Sequence, residues 1–311
     1  MIKSLLLRSL YSTRPVLLVF IFTLTFSACS EDKTQNYQPT VSEKNLAAAE
    51  NLYIFSIHPL HNPTRLHEIF GPMMDYLSKN ITNATFQLEA SRNYAVYDKK
   101  LYAGTAHFSL PNPYQTIKSL KHGYRVFAKM GDDHNFRGII LVRKDSGINK
   151  ISDLRGKAVS YPAPTALAAT MMPQYYIQTH GIDAMKDIET RYVGSQESSV
   201  MNVFLGNVAA GATWPPPWRA LVKERPELAE QLEIKWQTRP LPNNGLVAHE
   251  SVPAKLVDEV SRLLTNLHTH KEGQEMLKRM ELSRFETATD ASYDPVRKFL
   301  LSFSTTVRHL K

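Results

Sequence analysis

The chain has 311 residues, of which 43% are hydrophobic and 21% charged, with a formal net charge of +8. That length accommodates one large domain or two lobes, and the apolar fraction excludes a disordered chain. A single cysteine excludes an intrachain disulfide framework, and the mild positive excess contains no Lys/Arg-rich run or nucleic-acid motif, so it reads as solvated surface favouring anionic ligands.

Lys3, Arg8 and Arg14 form a basic start without acidic residues, and the apolar stretch 16–26 (VLLVFIFTLTF) is too short to span a membrane. Ser27 and Ala28 then precede Cys29, the sole cysteine. Residues 1–28 resemble a bacterial lipoprotein signal, which implies cleavage before Cys29 and a lipid on that residue. Removing three positive charges with this segment leaves +5. Residues 29–50 are polar and aperiodic and read as a tether with a span of roughly 25 Å.

Residues 51–57 (NLYIFSI) read as the first strand. Asn62 can cap, and Pro63 can open, a helix running to Leu77. His58, His61 and His67 lie close together, but no acidic residue has ligand spacing, so they read as loop and helix-surface histidines rather than a metal site. Residues 85–89 alternate as a second strand. A helix at 93–102, a strand at 105–110 ended by Pro111-Asn112-Pro113, a helix at 114–121, a strand at 124–129 and a strongly apolar strand at 136–143 follow. This alternation predicts an open α/β sheet. The strand 156–161 then leads through Pro162-Ala163-Pro164-Thr165 into a helix from Ala166, with Thr165 as its N-cap and Gly181 closing it. From the residues alone this is either an ordinary strand–turn–helix unit or a seat for a small anion on the free amides of the helix mouth. A strand at 189–193, a polar turn at 194–199, a helix at 200–205 and a strand at 210–214 come next. In Trp214-Pro215-Pro216-Pro217-Trp218 three prolines are incompatible with a helix interior, so both Trp are expected on a stiff extended loop. A strand at 233–238, an extended run at 241–248 and amphipathic helices at 253–270, 272–279 and 294–310 complete the chain.

No G-x-S-x-G, P-loop, H-E-x-x-H or paired carboxylates occur, so neither an enzyme nor a cofactor is expected. The informative feature is a set of turns at strand ends: 56–62, 91–94, 108–114, 161–165, 194–197 and 214–218. Ligands of open α/β sheets sit at such ends. Aromatic side chains with few polar groups there describe a small-molecule pocket.

Asn93-Tyr94-Ala95, the strand 138–143 with Lys144-Asp145-Ser146, the run 151–157 (ISDLRGK) and Pro164 through Pro173-Gln174-Tyr175-Tyr176 carry a family resemblance. Gly181-Ile182-Asp183, Gly206-Asn207-Val208 and Tyr293-Asp294-Pro295-Val296-Arg297 extend it. In this order they resemble the phosphate/phosphite/phosphonate-type (PhnD-like) substrate-binding proteins of ABC importers, over residues 51–303. The resemblance implies the type 2 periplasmic-binding-protein fold: two α/β lobes, each an open mixed sheet flanked by helices, joined by crossings near 143–148 and 239–246. Lobe 1 would comprise 51–142 and 247–311, and lobe 2 would comprise 143–246. The ligand would lie between Tyr94 and Phe136 of one lobe and Thr165, Ala166, Leu167 and Ala168 of the other. Gln196 and Asn244 would stand near it, with the Trp214–Trp218 stretch as an apolar wall. The family's hydroxyl-bearing run falls on Ala166-Leu167-Ala168, and its amine-holding acids fall near Pro217 and at Asn244. A small solute, anionic at one end and partly apolar or planar, is therefore expected. The resemblance also implies a periplasmic monomer that delivers its solute to an ABC permease, and the signal segment implies a lipid anchor to the inner or outer membrane. The alternative is a ligand-sensing lipoprotein signalling to a membrane sensor.

Overall fold

The structure, a computed structural model, describes residues 51–310; the signal segment, Cys29 and the tether lie outside the described residues. The chain opens with β1 (Leu52–Ile57), α1 (Pro63–Asn80), β2 (Thr85–Ala90), α2 (Tyr94–Tyr102), β3 (Phe108–Leu110), α3 (Pro113–Ser119) and β4 (Tyr124–Met130). It continues with β5 (Ile139–Arg143), β6 (Ala158–Tyr161), a π turn (Leu167–Met171) running into α4 (Met172–Thr179), β7 (Glu189–Tyr192), α5 (Gln196–Phe204) and β8 (Ala210–Thr213). Next come α6 (Pro215–Glu224), α7 (Glu227–Gln231) and β9 (Leu232–Gln237), and then β10 (Gly245–His249), α8 (Ala254–Thr265), α9 (Lys271–Arg279), β11 (Phe285–Thr287) and α10 (Asp294–Thr306).

The helix starts follow local chemistry. Asn62 and Asn93 each accept a backbone N–H three residues on, at 3.0 Å, and Asn112 forms a reciprocal capping box with Gln115. Pro63 and Pro113 stand where a helix needs no donor.

The strands form two sheets, ordered β11-β4-β10-β3-β1-β2 and β7-β6-β8-β5-β9. Both are mixed: β1 runs parallel to β2 and β3 while β10 is antiparallel to β3 and β4, and β6 runs parallel to β7 and β8 while β5 is antiparallel to β8 and β9. The central strands of the second sheet are buried on both faces. Ile140 and Val142 of β5 enter one apolar cluster and Ile139 and Leu141 the other, as strand alternation requires.

Two expectations are corrected here. The apolar strand ending at Arg143 does not belong to the first lobe. Ile139 pairs with Thr213 and Gln237 of the second sheet, so the first crossing is at 131–138, not 143–148. The chain returns at 238–244, alongside the first crossing. Gly138 N donates to Thr238 Oγ1 and Thr238 N to Gly138 O, both at 2.9 Å, and Leu241 N donates to Phe136 O at 3.0 Å. Second, the three prolines after Trp214 begin a helix rather than an extended loop. They fill its first turn, whose N–H groups would have no intrahelical acceptor in any case.

The lobes touch across the cleft. Thr165 Oγ1 donates to Asp98 Oδ2 at 3.1 Å, and Asn112 Nδ2 donates to Thr165 O at 3.0 Å. Farther out, Arg65 pairs with Glu224 at 2.6 Å, and Glu281 takes both Arg219, at 3.0 Å, and Lys223.

Candidate functional site

The cleft is built from strand ends. The neighbouring parallel strands β1 and β3 stop at Ile57 and Leu110, which delivers His58 and Asn112 to the same edge. The Asn93 cap places Tyr94 at the first position of α2. From the second lobe come the π turn after β6, Gln196 at the start of α5 and Trp214 at the end of β8. The two crossings contribute Phe136 and Asn244. His58, Tyr94, Asn112, Phe136, Ala166 to Ala169, Gln196, Trp214 and Asn244 together line one small cleft, with a cavity volume of about 10 Å³.

The π turn supplies donors. Thr170 N and Met171 N both bond to Ala166 O, at 2.9 and 3.2 Å, and Met172 N bonds to Leu167 O. The amides of Leu167, Ala168 and Ala169 therefore have no acceptor among the described residues. Pro173 favours this wide turn, because it lacks the N–H that would otherwise close an α-helical bond onto Ala169. Thr165 is not the cap expected from the sequence, since Ala166 holds that position without a side-chain bond and the Thr165 hydroxyl is spent on Asp98 in the other lobe.

The lining carries no Lys, Arg, Asp or Glu. Tyr94 keeps its proton, because burial pushes its pKa far above the ordinary tyrosine value. Gln196 Nε2 donates to the Tyr94 oxygen at 3.2 Å, and Gln196 Oε1 accepts from Thr213 Oγ1 at 2.8 Å. The Tyr94 O–H is thus left to be donated into the cleft. His58 is buried, not the loop-surface histidine expected, and burial lowers its pKa to about 4. Its Nδ1 lies 2.8 Å from Leu110 O, so the neutral ring carries its proton there. Asn244 is fully buried, its Oδ1 has no partner, and its Nδ2 points at Met130 Sδ at 3.4 Å.

The structure brings Tyr94, Phe136, Ala166, Leu167, Ala168, Gln196, Trp214 and Asn244 to one cavity; Thr165 instead joins the lobes at its edge. Phe136 and Trp214 form the apolar wall, with ring centroids 5.5 Å apart. Trp218 does not share it, because it packs with Ile139, Leu141 and Val200 inside the second lobe. Sequence reasoning left out His58, Asn112 and Ala169. The first two sit in strand-end turns already marked as ligand positions, which was the available signal. Among the described residues no group of His, Cys, Asp and Glu could hold a metal ion, and no helix is long and apolar enough to cross a membrane.

Two mixed α/β sheets joined by paired crossings, with an uncharged cavity between them and free backbone donors on one wall, define a two-lobed solute-binding protein. The family model described as "ABC transporter, phosphonate, periplasmic substrate-binding protein" matches residues 55–293, and the chain belongs to that family, whose members bind substrates for transport rather than transform them. A probable ABC transporter phosphite binding protein, PhnD1 of Prochlorococcus marinus (strain MIT 9301), is 22% identical over 186 residues, covering 56% of this chain and 63% of that relative. The phosphonates-binding periplasmic protein of Escherichia coli (strain K12) is 20% identical over 167 residues, covering 52% and 49%. The chain thus spans less than two thirds of the length of either relative. Among solved structures, a binding protein component of an ABC phosphonate transporter from Pseudomonas aeruginosa superposes with a TM-score of 0.76 at 17% identity, covering 82% of this chain and 87% of that one. PhnD1 of Prochlorococcus marinus in complex with methylphosphonate gives 0.75 at 17%, covering 82% and 98%. At these identities the likeness establishes the fold.

Proposed function

We propose that the protein is the solute-binding component of an ABC phosphonate importer and captures a small phosphonate by closing its lobes. The observation that carries this reading is the run of three unpaired amides, Leu167 to Ala169, in the same uncharged cleft as Tyr94. An oxyanion head sits on the amides and the Tyr94 hydroxyl, as anions do at helix mouths. Its organic substituent meets Phe136, Leu167 and Trp214, which admit an apolar group and offer nothing to an amine. The limited free space favours a short substituent. Backbone donors replace the hydroxyl-bearing side chains that the resemblance places at 166–168. Calorimetric titration with methylphosphonate tests the reading, and small-angle scattering on the same samples should give a smaller radius of gyration when bound. Absence of binding, or saturation with an unchanged radius, would contradict it.

The proposal includes an anchor at Cys29, motivated by the signal segment that ends at the sole cysteine. Each CH₂ of a lipid chain buried in the bilayer contributes about 0.8 kcal/mol, so several chains hold firmly. Cys29→Ser is expected to move the protein from the membrane fraction to the soluble periplasmic fraction. Unaltered membrane fractionation of this variant would remove the anchor from the proposal.

A further inference from the structure

The polar groups of the cleft are not all donors, and the exceptions bear on which solute fits. Leu110 O can only accept, so His58 Nδ1, 2.8 Å away, must carry the ring proton. The ring is neutral, so Nε2 holds a lone pair, and no hydrogen bond among the described residues reaches it. The groups around the ring do not recharge it. Tyr94 and Tyr97 meet it edge-on and keep their protons, and burial lowers the neighbouring His61 to about 3. The nearest carboxylate on the adjoining helix, Asp98, is engaged by Gln115 Nε2 at 2.6 Å and by Thr165.

Asn244 gives the second acceptor. Its amide orientation is fixed by Met130 Sδ, a thioether that accepts but cannot donate, so Nδ2 faces the sulfur and Oδ1 is the atom left over. Oδ1 is buried and unpaired. A buried acceptor without a partner is costly, and a ligand that supplies the donor relieves the cost.

We propose that the solute must bring a hydrogen-bond donor on its head group: the cleft selects the singly charged, protonated oxyanion, with His58 Nε2 and Asn244 Oδ1 as its acceptors. This rests on the phosphonate reading of the same site. Donors at Leu167 to Ala169 and Tyr94 hold the charged oxygens, while the two acceptors share the single P–OH hydrogen in a three-centre bond. A dianion would set a bare oxygen against a lone pair. With no cation in the lining, nothing would compensate the second charge.

The test compares two ligands of equal charge and nearly equal shape, methylphosphonate and methanesulfonate, at a pH between the two ionisations of methylphosphonate. Only the phosphonate then carries an O–H. Calorimetry on the purified protein should show methylphosphonate binding about tenfold to a hundredfold more tightly. In Asn244→Leu the preference should shrink because methylphosphonate weakens while methanesulfonate holds or strengthens. A packing fault would weaken both together, so these opposite movements separate selectivity from damage. His58→Phe is expected to behave in the same way. Equal affinities of the unaltered protein for the two ligands would overturn the donor requirement and leave the phosphonate reading standing. If neither ligand bound, the phosphonate reading would fall and the donor requirement with it.

Discussion

Replacing Gln196 by Glu is expected to weaken methylphosphonate binding by about a thousandfold at neutral pH. Gln196 is buried, with one amide end on Tyr94 and the other on Thr213. A carboxylate there acts twice. It draws the Tyr94 proton to itself, removing a donor from the ligand, and it sets a like charge beside the anion. Two such charges about 4 Å apart cost about 4 kcal/mol at an effective dielectric near 20, which is about a thousandfold in affinity. Burial raises the pKa of the introduced carboxyl. Below that pKa the Glu is neutral and resembles Gln, so the loss should appear as pH rises through it and fade as pH falls. Calorimetric titration across pH checks both size and direction. Parent-like affinity at every pH would move the anion away from Gln196.

Gly138→Ala should damage stability and binding together. A Cβ at this position would lie 2.5 Å from Ala168 O and 2.7 Å from Cδ and Cγ of Pro173. Neither contact is the loose end of a flexible side chain, so a crossing or the π turn must move. Overpacking of this kind costs about 1–3 kcal/mol. The Ala168 carbonyl belongs to the turn whose amides face the cleft, so a shift also misdirects the donors. Thermal unfolding should fall by several degrees, and methylphosphonate affinity should drop at least about tenfold. Gly71 provides the contrast. It lies in α1, and a Cβ added there would meet nothing within 4 Å, so Gly71→Ala should be neutral or mildly stabilising. If Gly138→Ala bound and unfolded like the parent, the tight contact between crossing and π turn would be refuted.

The parts of this molecule that are written locally could be read from the sequence. Asn62, Asn93 and Asn112 cap their helices by accepting from backbone N–H groups two or three residues on, and strands such as β2 alternate visibly. Tyr94 and Gln196, placed by the family resemblance, and Trp214, placed by its strand end, do come to line one cleft. What failed depended on partners distant in sequence. Nothing within 136–143 says which sheet it joins, because Ile139 is placed by Thr213 and Gln237. Thr165 has the local features of a cap, yet Asp98 in the other lobe takes its hydroxyl. His58 follows a strand directly and looks like a surface loop residue. Its burial comes from Tyr94 and Tyr97, which sit on a helix that approaches only in the folded lobe.

The three prolines that open α6 remove donors from the chain directly after Trp214. A helix start normally offers several N–H groups, but the nitrogens of Pro215, Pro216 and Pro217 carry no hydrogen. The neighbouring start of α5 is partly closed by Ser195 Oγ, which accepts from Ser198 N at 3.0 Å. Of the three second-lobe starts at the cleft, the turn at Leu167 to Ala169 is the one that neither proline nor a side-chain cap closes. A bolaform solute, such as a phosphonocarboxylate, could neutralise one end there. Its other end would be stripped of water against the Phe136 ring and the Trp214 indole, at a cost no hydrogen bond returns. The expected consequence is discrimination against doubly headed anions, imposed by missing hydrogens rather than by any repelling charge, and a phosphonocarboxylate binding as tightly as methylphosphonate would contradict it.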